Sequence, residues 1–251
     1  SIGGSNGGYP LFDWQLLESR SRETAIAYLE TYYTRYVEPY ASAAQRQTLR
    51  QMLADTAGVI RGAEGADDIL SAYDAAMAAL TSPALLEQAV AAAKEKLTTL
   101  YKAARKAYPH IAKELDALYK KQCAALADCT TAVETDTVPD GFAAGVVDCL
   151  LLDMDGITMK ELEEQLPAAE RAAAALTDTQ RGLLVYYGKL PAAQALLALY
   201  RQNIEKLEKW TWEDKRAYAD VTIRLTDLCR ETHQALDNAR DAEMMTAALD
   251  T

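Results

Sequence analysis

Cys229 and His233 stand four residues apart near the end of the chain. On a helix that spacing puts both on one face, as a thiolate–imidazole pair or two metal ligands require. Either use needs further ligands or a third, orienting group, and none is legible, so the pair reads as a buried cysteine beside a surface histidine. The other histidine, His110, follows Pro109 at an expected helix kink, where it caps or faces solvent. Asp153 and Asp155, with Gly156 in the glycine slot, match part of a calcium loop. The first and last ligand positions then fall on Leu151 and Leu162, which have no oxygen to give, and Glu161 is one place early. A turn between two helices explains these residues better.

The acids Glu163/Glu164 and Asp67/Asp68 are adjacent, and adjacent helical residues diverge by about 100°, so neither pair converges for acid–base work. The chain has no nucleophile elbow, phosphate loop, dinucleotide glycine pattern or paired-histidine zinc motif. We assign no catalytic residue, cofactor-binding residue or metal ligand, and an enzyme is unsupported. The aromatic residues are more suggestive. Tyr28, Tyr32 and Tyr36 recur every four residues and make one helical stripe, with Tyr33 beside it; Trp210 and Trp212 flank Thr211 at an expected helix junction. Tyrosines with apolar rings and wet hydroxyls suit a protein or glycan partner, and more commonly the rim of a helix interface. These five residues, Tyr28, Tyr32, Tyr36, Trp210 and Trp212, are the candidate partner-binding set.

The elements that must position them are helices. The 251 residues are half hydrophobic, much of that alanine, with only 12 Gly and 7 Pro as punctuation. Alanine favours helix and close helix–helix approach. Helices are expected near 14–37, 41–61, 68–80, 83–128 (kinked or split by Pro109 near Tyr108), 142–152, 159–175, 178–187, 191–209 and 212–248. Thr158 with Glu161, Thr177 with Gln180 and, more weakly, Thr211 with Asp214 match the capping box that starts a helix. The expected fold is all-α, antiparallel helical hairpins forming one elongated bundle or two consecutive ones. A tether and arm over 1–12, a bundle over 13–131, a linker loop over 132–141 and a second bundle over 142–251 complete the expected division. The linker is read from its β-branched residues, its proline and an Asp-Gly turn.

The net charge of −11 opposes a nucleic-acid surface or adsorption to an anionic membrane. The most apolar window, 141–152, is too short to span a bilayer and contains Asp148. Cys123, Cys129, Cys149 and Cys229 match no zinc pattern; a 129–149 disulfide is conceivable, and free buried thiols are the commoner outcome. The opening Gly/Ser/Asn run after a first residue other than Met is the kind of tether that often follows an anchor or export signal.

Residues 176–193, with Leu176, Thr177, Gln180, Leu183, Leu184, Val185, Tyr186, Tyr187, Leu190, Ala192 and Ala193, resemble a helical repeat of Gram-positive surface proteins, akin to the FIVAR type. The match covers about 157–200; Gly188, Pro191 and Gln194 depart from the pattern. The resemblance implies extracellular or cell-surface placement and a spacer, adhesion or partner-binding role. It implies no catalytic residues. The expected function is therefore a non-catalytic, secreted or surface-anchored module binding a protein or glycan, without nucleic acid or direct membrane insertion. An intracellular, cytoplasmic helical scaffold or regulatory protein is the alternative; oligomeric state is open.

Overall fold

The computed structural model describes the backbone of residues 14–217 and 222–250, and the side chains of residues 22–211 and 223–250. The expected tether and arm over 1–12 and the Trp212 and Asp214 side chains lie outside them. Among the described residues the fold is all-α, with no strand. The chain divides into two compact units, Ser1–Ala107 with Asp116–Phe142, and Tyr108–Leu115 with Ala143–Thr251.

In the first unit, helices α1 (Trp14–Tyr36), α2 (Ala43–Gly62) and α3 (Ala66–Leu80) pack mutually. Their apolar residues recur at helical spacing: Ile26, Leu29, Tyr33 and Val37 in and just after α1, Leu49, Leu53, Ala57 and Ile60 on α2, and Ile69, Tyr73, Ala76 and Leu80 on α3. Ser42 starts α2 with a capping box closed by Gln45. Helix α4 (Pro83–Ala107) follows, and Pro109 ends the long expected helix with a 3₁₀ turn at Pro109–Ile111 before α5 (Ala112–Ala127). Tyr101 of α4 stacks on Tyr119 of α5, with ring centroids 4.3 Å apart, and donates its hydroxyl hydrogen bond to Asp116 at 2.6 Å.

The expected linker loop over 132–141 is instead the first half of a helix, α6 (Ala132–Asp153), with Pro139 inside it. Proline removes an amide and disfavours helix in the residue before it. Burial overrides that local preference, because Val138 and Phe142 are both core residues. The helix start was itself legible. Thr131 and Glu134 form a capping box: the Glu134 amide donates to Thr131 Oγ1 at 3.2 Å and the Thr131 amide to Glu134 Oε2 at 3.1 Å. The Glu134 carboxylate also accepts from the Thr130 amide at 2.7 Å, and these bonds hold it below the usual carboxylate range.

In the second unit, Gly156, the one described residue at positive φ (69°), turns the chain from α6 toward the Thr158–Glu161 capping box that opens α7 (Met159–Ala174). Thr177 and Gln180 cap α8, which is only Asp178–Arg181 rather than the expected 178–187. Helix α9 (Lys189–Ala217) then runs without a break past position 211, so the expected junction there does not exist. Thr211 does not cap; its hydroxyl bonds back to the Leu207 carbonyl at 2.7 Å inside the helix. Helices α10 (Thr222–Asn238) and α11 (Ala242–Leu249) close the unit, with α7, α9 and α10 in mutual contact and α11 against α9 and α10. Their core is built from Met159, Leu162, Leu166, Leu197, Leu236 and Met245.

Candidate functional site

The feature that ordinary packing leaves unexplained is the segment 183–187, Leu-Leu-Val-Tyr-Tyr, between α8 and α9. Leu183 is 46% exposed, Val185 74%, Tyr186 38% and Tyr187 53%, although each has an apolar body. The segment is non-helical for a reason found far away in sequence. A continued α8 would bond the Val185 and Tyr186 amides to carbonyls four residues back. The Asp148 carboxylate takes them instead, accepting Val185 N–H at 3.1 and 3.2 Å and Tyr186 N–H at 2.9 Å. Asp148 is nearly buried on α6, so a charge that would be costly alone is satisfied by two backbone donors.

The rest of the segment is pinned as well. Leu183 and Leu184 amides donate to the Gln180 and Arg181 carbonyls, and Lys189 and Leu190 amides to those of Tyr186 and Tyr187. Lys189 pairs with Asp155 and lies 5.9 Å from the Tyr186 ring centroid. Arg181 pairs with Asp178 at 2.9 Å. The apolar side chains are thus presented on a hydrogen-bonded frame whose nearby cations already have carboxylate partners. In the sequence Asp148 registers only as the charge interrupting an apolar window. That was the available signal, because a lone acid on an apolar helix needs a buried donor.

The expected tyrosine stripe does not form a free surface. Tyr32 is 3% exposed and belongs to the core, so it is unavailable to a partner. Tyr28 and Tyr36 are half-buried against that core; Tyr28 lies 6.1 Å from the Tyr73 ring and Tyr36 5.3 Å from Tyr32, between centroids. The four-residue repeat is the seam by which α1 packs on its neighbours, where tyrosine rings fill area as leucines would. Trp210 is half-exposed in mid-helix. The structure does not bring the five candidates together: the tyrosines belong to the first unit and Trp210 to the second.

Cys229 and His233 do share one face of α10, and both line a cleft of about 510 Å³ beside Thr211 of α9. The orienting group that the sequence reading lacked is Asp237, a further four residues on. Its Oδ2 is 3.5 Å from His233 Nδ1, and its Oδ1 accepts the Tyr200 hydroxyl at 2.6 Å. Burial, first, and then the bond to Asp237 raise the Tyr200 hydroxyl well above the usual tyrosine range. All four cysteines are free thiols, with Cys229 buried and the others half-buried.

The partial calcium loop has other employment. Asp155 pairs with Lys189, and Asp153 faces His110 Nε2 at 3.8 Å. Among the described residues, no three His, Cys, Asp or Glu side chains are grouped to hold a metal ion, and no single helix is long and apolar enough to cross a membrane. An open recess of about 1130 Å³ between α2 and α3 is lined by Gln51, Met52, Asp55, Thr56, Ser71 and Ala72, with no histidine or cysteine among its lining residues. Comparison with family models, curated proteins and solved structures finds no match.

Proposed function

We propose that this chain is a non-catalytic helical interaction module that engages a protein partner through the exposed apolar segment 183–187. The observation that carries the reading is the combination of exposure with rigidity. Four large side chains that gain free energy by leaving water are held out in it by a frame of backbone hydrogen bonds. A preformed apolar surface costs little ordering on association, and tyrosine is among the residues that dominate interface energies. A protein is favoured over a glycan because Leu183 and Val185 are aliphatic, whereas sugar recognition needs flat aromatic faces ringed by hydrogen-bonding groups. Extracellular, surface-anchored placement belongs to the same proposal and rests on the resemblance of 157–200 to Gram-positive surface repeats.

The test is a matched pair of proteins, wild type and Leu183→Ser/Val185→Ser/Tyr187→Ser, each with a photo-crosslinker at position 186, exposed to intact cells and secreted proteins of the source and to a glycan array. The expected result is a discrete crosslinked protein with wild type, weakened at least tenfold in the variant. Equal crosslinking by both, or saturable glycan binding that the variant retains, would overturn the assignment.

A further inference from the structure

Independently of the 183–187 surface, we infer that the cleft around Cys229 is a modification site at which this thiol exchanges with small disulfides. Four groups converge on the chemistry. Cys229 and His233, one turn apart, have Cβ atoms about 5–6 Å apart by helix geometry, within the reach of an imidazole to a sulfur. Asp237 faces Nδ1 of His233, which leaves Nε2 to act as the base. This is the arrangement of nucleophile, base and orienting acid that activates a weak nucleophile. Tyr200 in turn holds the Asp237 carboxylate through its hydroxyl.

Thr211 supplies the fourth group. Its Oγ1 is 2.7 Å from the Leu207 carbonyl and 2.8 Å from Cys229 Sγ. A hydroxyl has one hydrogen. Beside a neutral thiol it donates to Leu207 and accepts from S–H; beside a thiolate it turns and donates to sulfur. The α9 backbone therefore carries a switchable donor aimed at the atom on which negative charge develops. The charged groups at the cleft are Glu208 from α9 and Arg230 from α10, the latter paired with Asp227 at 3.0 Å; Glu163 of α7 acts on Tyr200 behind Asp237.

Two of the other cysteines, Cys129 and Cys149, sit beside carboxylates. The Cys129 thiol donates to the Ala125 carbonyl and faces Glu134 and Asp128, and Cys149 faces Glu114 and Asp148; burial and these charges push both thiols up, away from the reactive thiolate.

In the step, His233 Nε2 takes the Cys229 proton and the sulfur attacks one sulfur of the disulfide RSSR. The S–S bond of the reagent breaks as the new Cys229–SR bond forms, and the departing RS⁻ receives the proton from His233. The sum is protein–SH plus RSSR giving protein–SSR plus RSH, and no other oxidant is needed.

Intact protein incubated with oxidised glutathione, then mapped by mass spectrometry, gives a rate for each cysteine. At pH 7 Cys229 should be modified at least tenfold faster than Cys129 and Cys149. His233→Ala should slow Cys229 at least fivefold at pH 7 and converge with wild type near pH 10, where hydroxide ionises an ordinary thiol. Thr211→Val should slow it at both pH values. An unfolding midpoint for each variant separates loss of reactivity from loss of fold, and His233, being half-exposed, is replaceable without a core defect. If Cys229 reacts no faster than Cys149, or if His233→Ala leaves the pH 7 rate unchanged, the inference fails.

Discussion

Asp148 accepts the backbone amide of Val185, thirty-seven positions away, at 3.1 Å, and the next amide, Tyr186, at 2.9 Å. One buried carboxylate thereby holds two amides of the exposed segment that a continued helix would bond to its own carbonyls.

Replacing that acid tests the relationship. Asp148→Ala leaves two part-buried amides without an acceptor, so stability should fall by about 1–3 kcal/mol. Hydrogen exchange at the Val185 and Tyr186 amides should accelerate ahead of the rest of the second unit. If those amides stay as protected as in wild type, the carboxylate is not what holds the segment.

Tyr32 separates packing from recognition. Tyr32→Ala empties a core position on α1 and should cost about 3–5 kcal/mol in denaturant titrations. Tyr187→Ala removes an exposed side chain and should change stability by less than about 0.5 kcal/mol. A small loss at Tyr32 would contradict its core placement.

Pro139 is a helix interior residue that gives no hydrogen bond to the Thr135 carbonyl. Pro139→Ala restores that donor and a better helix former, so the variant should be more stable by about 1–3 kcal/mol, read from the chemical unfolding midpoint. A destabilised variant would mean that the proline ring itself packs usefully.

The capping carboxylates set an acid response. Glu134 and Glu161 are lowered first by the Thr130 and Thr158 backbone amides, respectively. A depressed folded pKa contributes stability that is present above the unfolded value, 4.5, and is lost as pH falls through the folded one. Urea midpoints should therefore fall below about pH 4.5. The Glu134→Gln/Glu161→Gln protein, which keeps the capping geometry without the titration, should show a shallower decline. Parallel curves would exclude the two boxes as a cause.

Much of the architecture was legible because it is local. Helical spacing on α2 and α3, the Thr158 and Thr177 caps, and the stops at Gly62 and Pro109 all depend on residues within one or two turns of each other. Two further boxes, Ser42 with Gln45 and Thr131 with Glu134, carry the same signal, and the second marks α6 as a helix where a proline and an Asp-Gly pair suggest a loop. Thr211 with Asp214 matched the pattern and misled, because a capping box in a long helix is only a pattern until the chain actually breaks there.

The site was less legible, for a physical reason. A tyrosine every four residues states that one face of α1 is distinctive, and only the helices packed on it decide whether that face is buried; α2 and α3 bury it. Conversely, Leu183, Val185 and Tyr187 read as ordinary helical apolar residues until an acid from a different helix takes the Val185 and Tyr186 amides. By itself, the sequence determined that this chain would be helical and where most helices begin. Tertiary structure alone decided which apolar residues leave water and which remain in it, because burial depends on partners that no local spacing encodes.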